Sequence, residues 1–506
     1  MTGFRILYNQ DCTNLFAITR EPITPAHVDR MVEEVALGGS DVFLVNPNAQ
    51  RVNYPSRVWQ TFWDGYRPDD DSLLGSIPQE TLPGRRHLVE QMQRLAESGC
   101  DYLARALGAC RQTGLLPGIA LRMNDMHDQP WPDSHFHSSF YREHPDWHLD
   151  NSEIAGWGRT GLNYEIPEVR AHYLTLIREL VEGYDFEVLE LDFMRFGSYF
   201  PRADFTRHAA TMTHWLGEVR QLLDSAPRHI ELIPRVATSP AAAFELGFDV
   251  ATWAREGLVD GLTSAAFLNT NWDLCVEEFS EVLDSQVPVY AGTDYGVHRV
   301  NELPPCCLPA QPEFLRGLAS GYAIAGAAGL NLFNFFCSRE EDPPQEPAFS
   351  ILGELREPAR LRGKPKAYTV TGATDGGMLE TDRPAQVPIV LPSRRAQEFR
   401  LLMRSEPEGV EVNAEVCFTG ETLPEPTELW LRLNASAAGP ASDFEDLPGT
   451  NAEPIALARY TLPASALRDG WNRLHLRNEG PEIAILGVVV RVASRRGAPV
   501  GLIRRA

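Results

Sequence analysis

Residues Val188–Phe196 read VLELDFMRF. The run is mostly apolar, as a buried strand should be, yet it carries Glu190, Asp192 and Arg195. Successive side chains of an extended strand point to opposite faces. Leu189, Leu191 and Phe193 therefore form one set, and Val188, Glu190 and Asp192 the other. The first set suits packing beneath helices, while the second puts two acids into an interior. A closed barrel of parallel β/α units reconciles them, because its strands are covered outside by helices and filled inside by side chains. Polar groups gather at the carboxyl ends of such strands, where these barrels keep their active sites. Asp192 is then expected near the mouth, with Arg195 just beyond it. Glu190 would lie one layer deeper, where it could equally be the acid of an interior ion pair.

The sequence on either side repeats the alternation. Further strand-like runs are FRILYNQ (4–10), DVFLVNPN (41–48), LLPGIALRMND (115–125), HIELIPRV (229–236), GLTSAAFLN (261–269), VPVYAGTD (287–294) and GLNLFNFF (329–336). Amphipathic, helix-like segments lie between them, such as TPAHVDRMVEEVALGG with Thr24 as an N-cap and a closing Gly-Gly. Eight strands separated by helices predict a (β/α)₈ barrel over residues 1–363. An open doubly wound sheet would usually carry a Gly-rich phosphate loop, and no GxGxxG is present. Two excursions, 49–86 and 126–163, follow strands 2 and 3 where loops of the active face belong. From 364 to 506 short alternating runs and turn signals such as DGG and RDGWN replace the helical pattern. They predict an all-β sandwich of roughly eight strands.

The net charge of -23 excludes attraction to nucleic acid or an anionic membrane, and leaves a neutral molecule or sugar as the compatible partner. The 43% apolar and 23% charged content is that of a globular chain. No signal-like leader and no run long enough to cross a membrane is visible, so a cytoplasmic location is expected. The eight cysteines lack CxxC spacing and read as reduced structural thiols. Identical copies of the chain remain eligible partners.

Other strand ends add polar groups to the mouth: Asn9 and Asp11 on strand 1, Asn46 on strand 2, and Arg122, Asn124 and Asp125 on strand 3. Arg235 stands on strand 5, Asp294 and Tyr295 end strand 7, and Asn334 ends strand 8. Many such groups around one opening suit a polyhydroxylated ligand, whose hydroxyls need partners once water is displaced. Glycoside hydrolysis needs two carboxyl groups flanking the scissile bond. Asp192 is the first choice for the fixed carboxylate, with Arg195 able to hold it ionised or to bind an acidic sugar. Asp294 leads as its partner, and Asp125 and Glu190 stay open. Trp131, Trp147, Trp157 and Tyr295 are candidates to stack on a sugar ring. The histidines 127, 135, 137, 144 and 148 invite a metal test, but no HExxH or CxxC pattern supports one, and neither a metal nor a cofactor is expected. No GxSxG motif supports a serine hydrolase.

LNYEIPEVRAHYLTLIRELVEGYDFEVLELDFMRF (162–196) resembles the core of the glycosyl-hydrolase-like family ten and related barrel glycosidases. YREHPDWHLDN (141–151) and AFELGFDVATWAREGLVDGL (243–262) are similar to that group as well. By position Asp192 and Arg195 match the family's Asp and Arg, whereas Phe186-Glu187-Val188 departs from the Asp-Gly often found there. The resemblance implies a carbohydrate-active barrel followed by a sandwich that supports it. Two other functions compete: a lyase or isomerase acting on an acidic sugar, with Arg122, Arg195 and Arg235 holding the carboxylate, and a non-catalytic sugar-binding barrel.

Overall fold

A computed structural model of the chain describes residues 3–150, 160–201, 205–268, 270–299, 307–309, 311–340, 344–373, 385–447 and 454–493. The barrel strands are β1 (Arg5–Gln10), β2 (Val42–Val45), β3 (Leu116–Arg122), β4 (Val188–Asp192), β5 (Glu231–Leu232 with Arg235–Val236), β6 (Leu262–Ser264), β7 (Val289–Thr293) and β8 (Gly329–Leu332). Each pairs in parallel with its neighbours, and β8 returns to β1, so the sheet closes. The expected continuous strand 229–236 is broken instead. Pro234 falls inside it and brings no N–H to the ladder.

Helices α1 (Pro25–Gly38), α2 (Leu82–Glu97), α3 (Tyr102–Thr113), α4 (Pro167–Gly183), α5 (Phe205–Asp224), α6 (Val250–Arg255), α7 (Val276–Val282) and α8 (Pro312–Ile324) lie between the strands. Thr24 caps α1 in a reciprocal box with His27, and Gly39 ends it at a φ of 90°. The long amphipathic run before β3 forms two helices. Asp101 takes the Ala104 N–H at 3.0 Å and starts a new helix where Gly99, at a φ of 81°, has turned the chain.

Alternation along β4 holds. Leu189, Leu191 and Phe193 join the large core beneath the helices, with Leu176 and Trp215. Val188 joins a separate cluster inside the barrel with Leu7, Val42, Leu44, Ala120, Ile233 and Tyr290. That apolar floor lies beneath Glu190 and Asp192 on the same face of the strand.

The C-terminal part forms two antiparallel sheets from β9 (Lys366–Thr369), β10 (Ile389–Leu391), β11 (Arg395–Met403), β12 (Glu411–Thr419), β13 (Leu429–Leu433), β14 (Ser436–Pro440), β15 (Phe444–Leu447), β16 (Ile455–Leu462), β17 (Gly470–Asn478) and β18 (Ile483–Ala493). The sheet β11–β17–β13–β14 packs with the sheet built on β18, β12 and β16. Strands β14 and β15 exceed the expected set. Their SAAGP and FEDL sequences carry no run of apolar alternation.

Helix α8 joins the two parts. A Cβ on Gly317 would lie 1.9 Å from the Ala367 carbonyl oxygen, and one on Gly321 2.7 Å from that of Leu402. Glycines four residues apart share a helix face, so this face has been cleared for two sandwich strands. Trp471 Nε1 also donates to Glu277 on α7 at 3.1 Å. Among the described residues no helix is long and apolar enough to cross a membrane.

Candidate active site

Above the apolar floor the barrel interior turns polar in two steps. The lower step centres on Glu190, which is 0% exposed. Its Oε1 accepts from Asn9 Nδ2 at 2.6 Å, and its Oε2 accepts from Asn331 Nδ2. The interior ion pair expected as an alternative does not form at Glu190, because the nearby arginine is engaged one step higher. Burial, then the charge of Asp192, pushes the Glu190 carboxyl up to about 7. Asn331 was not anticipated. It is a polar residue in an apolar strand, the same signal that singled out Glu190.

In the upper step Arg235 Nη1 donates to Asp192 Oδ1 at 2.8 Å, and Arg235 stacks on Phe333 with its guanidinium carbon 4.1 Å from the ring centre. Asp192 Oδ1 also accepts the backbone N–H groups of Met194 and Arg195, each at 2.9 Å. Asp192 is therefore a post: it ties β4 to β5 and fixes the turn that carries Arg195. With 1% of its surface exposed, it is not among the residues lining the cavity at the mouth.

A chain of charges crosses that mouth from β1 to the end of β4. Asp11 pairs with Arg122, whose Nη1 lies 3.3 Å from Asp125 Oδ2. Asp125 Oδ1 accepts a hydrogen bond from His127 Nδ1–H at 2.9 Å, and Arg195 Nη2 donates to His127 Nε2 at 3.0 Å. A guanidinium only donates, so Nε2 carries the lone pair and Nδ1 the proton. Burial outweighs the Asp125 charge and lowers the His127 pKa, which leaves the imidazole neutral. Burial alone would raise Asp11, but Arg122, Arg195 and the Thr13 bonds overcome it and hold the carboxyl at about 2. Asp125 is likewise lowered against its burial by His127 and Arg122.

A cavity of about 630 Å³ opens here. Of the residues expected at the site, Asp11, Arg122, Arg195, Asp294, Tyr295 and Asn334 line it. Asn334, at a φ of 53°, donates from Nδ2 to Asp294 Oδ2 at 3.2 Å. Three others are engaged elsewhere. Asn46 Nδ2 bonds the Ala120 carbonyl at 2.7 Å, Asn124 Nδ2 bonds Leu162 and Ser198 carbonyls at 3.0 and 2.7 Å, and Trp131, whose N–H closes a turn on the Asp128 carbonyl, is not among the cavity-lining residues. Trp147 stacks on His144 at 3.6 Å, and Trp157 lies outside the described residues. His137 bonds the carbonyls of Pro132 and His127, which makes it a loop brace.

Among the wall residues that the sequence reading does not single out for the site, two bear on the chemistry. His127 had been weighed only as a metal ligand. Glu340 follows β8 in a helical turn, Phe335–Glu340, that the strand-like run GLNLFNFF concealed. Its Oε1 accepts from Asn14 Nδ2 at 2.5 Å. Desolvation raises its pKa despite that bond, and the Asp11 charge adds to the effect. Glu340, Asp294 and Asp11 all line the cavity.

No protein-family model matches the chain, and no curated protein matches it. Among solved structures it is similar to a cycloisomaltooligosaccharide glucanotransferase of Paenibacillus sp., at 10% identity and a TM-score of 0.36 over 96% of this chain. The chain spans 57% of that protein's length. It is also similar to the PgaB glycoside hydrolase domain of Bordetella bronchiseptica, at 11% identity and a TM-score of 0.43 over 70% of this chain and 98% of that one. A third is the noncanonic maltogenic α-amylase AmyB of Thermotoga neapolitana, at 11% identity and a TM-score of 0.37 over 96% of this chain and 98% of that one.

Proposed function

We propose that the chain is a glycoside hydrolase whose site is the cavity at the carboxyl ends of the barrel strands. One observation carries this reading: the cavity wall holds a carboxyl, Glu340, that its surroundings favour in the protonated form, with a second carboxyl, Asp294, on the same cavity. Glu340 is favoured in its protonated form by desolvation and by the Asp11 charge, as a general acid to the glycosidic oxygen must be. Asp294, which lines the same cavity and is held by Asn334, is taken as the second carboxylate. Asp11 is committed to Arg122 and to Thr13 and serves as a fixed charge. Asp192 backs the site by holding Arg195 and Arg235, and Tyr295 offers a ring to a sugar face. The resemblance of residues 162–196 to the glycosyl-hydrolase-like family ten supports the same activity. The sandwich, seated on α8, is assigned a supporting role over a boundary near residues 363–364.

A screen of aryl glycosides and oligosaccharides with wild type, Asp294→Asn, Glu340→Gln and Asp192→Asn tests the assignment. Turnover of at least one sugar, lost in the first two variants while their melting temperatures hold, is the expected result. Hydrolysis of an ester or amide with no sugar turned over would sink it.

The Asp125–His127 pair keeps one other reading in view. A neutral imidazole oriented by a carboxylate beside two arginines is also the equipment of a lyase removing a proton next to a sugar carboxylate. An unsaturated product absorbing in the ultraviolet would favour elimination over hydrolysis.

A further inference from the structure

The charges on the cavity wall can be matched one by one. Arg85 pairs with Asp128 at 2.7 Å, and Arg122 with Asp11 and Asp125. The carboxyls of Asp294 and Glu340 are those assigned to the chemistry. Arg195 remains. Among the described residues it has no carboxylate within 4.0 Å. Its Nε and Nη1 are buried without a hydrogen-bond partner. Its one bond goes to His127, a neutral ring that satisfies a donor but cancels no charge. The rings of Phe196 and Phe333 flank the guanidinium at 5.6 and 5.5 Å. Desolvation and Arg122 oppose the charge on Arg195, and Asp11, Asp125 and Asp192 favour it from beyond ion-pair distance.

We propose that Arg195 is the counter-ion for a carboxylate on the sugar, so that the cavity selects a uronic-acid residue. This rests on the reading of the cavity as a sugar site. A carboxylate supplies what the surroundings of Arg195 lack. It is planar, it accepts two parallel N–H bonds from a guanidinium edge, and it neutralises the charge. A neutral sugar offers a hydroxyl acceptor but no charge in direct contact with the guanidinium. Arg122, already balanced by Asp11 and Asp125, contributes field more than bonds, and Asp192 positions Arg195 through the backbone N–H it accepts. The chain's charge of -23 disfavours acidic ligands at a distance, so the selection is local, and salt should weaken it little.

The test is calorimetric binding of glucuronate- and galacturonate-containing oligosaccharides against their neutral glucose and galactose counterparts, with wild type, Arg195→Gln and Arg195→Lys. Acidic sugars are expected to bind wild type roughly 10- to 100-fold more tightly than neutral ones, the range of a charge-assisted hydrogen bond. The preference should vanish in Arg195→Gln and return in part in Arg195→Lys, with melting temperatures confirming that each variant is folded. Equal binding of both series, no binding of either, or a preference that survives Arg195→Gln would overturn the proposal. Preferential binding without turnover keeps the carboxylate subsite and removes the hydrolase. Turnover of neutral glycosides without preference does the reverse.

Discussion

Lys366 and Arg195 are both cations taken out of water, one where the sandwich meets the barrel and one at the barrel mouth. Lys366 has a side chain that is 0% exposed, and its Nζ donates to Glu406 Oε1 at 2.5 Å. Glu406 Oε2 in turn takes the Gly363 N–H at 2.6 Å, so the acid is bonded on both oxygens. Arg195 is left with a neutral histidine and two buried N–H positions unanswered. A chain that can complete a buried ion pair at its structural joint leaves one incomplete at its mouth. Incomplete satisfaction is tolerable where a ligand completes it. The difference separates a charge kept for the fold from a charge kept for a partner.

Several substitutions can break that comparison. The largest effect belongs to the chemistry: Glu340→Gln or Asp294→Asn should lower kcat by about 10²–10⁴-fold, the usual range for a positioned acid or base, with calorimetric melting unchanged. At the joint the consequence falls on stability. Glu406→Gln leaves Lys366 buried and uncompensated and should cost about 3–5 kcal/mol in denaturant unfolding, while the specificity of the mouth stays as it was. Gly317→Ala drives a Cβ against the Ala367 carbonyl and should cost about 1–3 kcal/mol by the same measurement. Arg195→Gln should cost far less than Glu406→Gln, since Nε and Nη1 of Arg195 make no hydrogen bond to lose. A loss of stability as large as that of Glu406→Gln would erase the distinction between the two cations.

Glu190 gives a prediction in pH. Its folded pKa, about 7, lies above the ordinary 4.5, so the folded state holds a proton that the unfolded state has released between those values. Stability is then fullest below pH 4.5 and falls as pH rises to about 7. In Glu190→Gln that contribution to the slope should disappear, as melting temperatures measured across the window would reveal.

The barrel was legible because its evidence is periodic. Two-residue alternation in β4 separated Leu189 and Leu191 from Glu190 before any contact was known, and eight repeats of strand and helix gave the closure. The sandwich was legible wherever apolar residues alternate, and β14 and β15 were missed because SAAGP and FEDL do not. The site was harder for a different reason. Residues at strand ends were correctly gathered toward one mouth, but sequence position does not say which of them face the cavity. Asp192 and Arg235 neutralise one another behind its wall, and Asn46 and Asn124 spend their amides on backbone carbonyls. Glu340 belongs to a helical turn after β8, and its signal, an acid at the end of an aromatic run, could have been found by carrying the strand-end search a few residues further.

The measurement that tests the central claim most directly is the dependence of kcat/KM on leaving-group acidity, for wild type and Glu340→Ala, across a series of aryl glycosides of the sugar identified in the screen. Good leaving groups depart without a proton, so the variant should approach wild type on the most activated aryl glycosides and fall far behind on the least activated. A loss of equal size across the whole series would contradict the assignment of Glu340 as the acid, and with it the claim that the cavity works through a protonated Glu340.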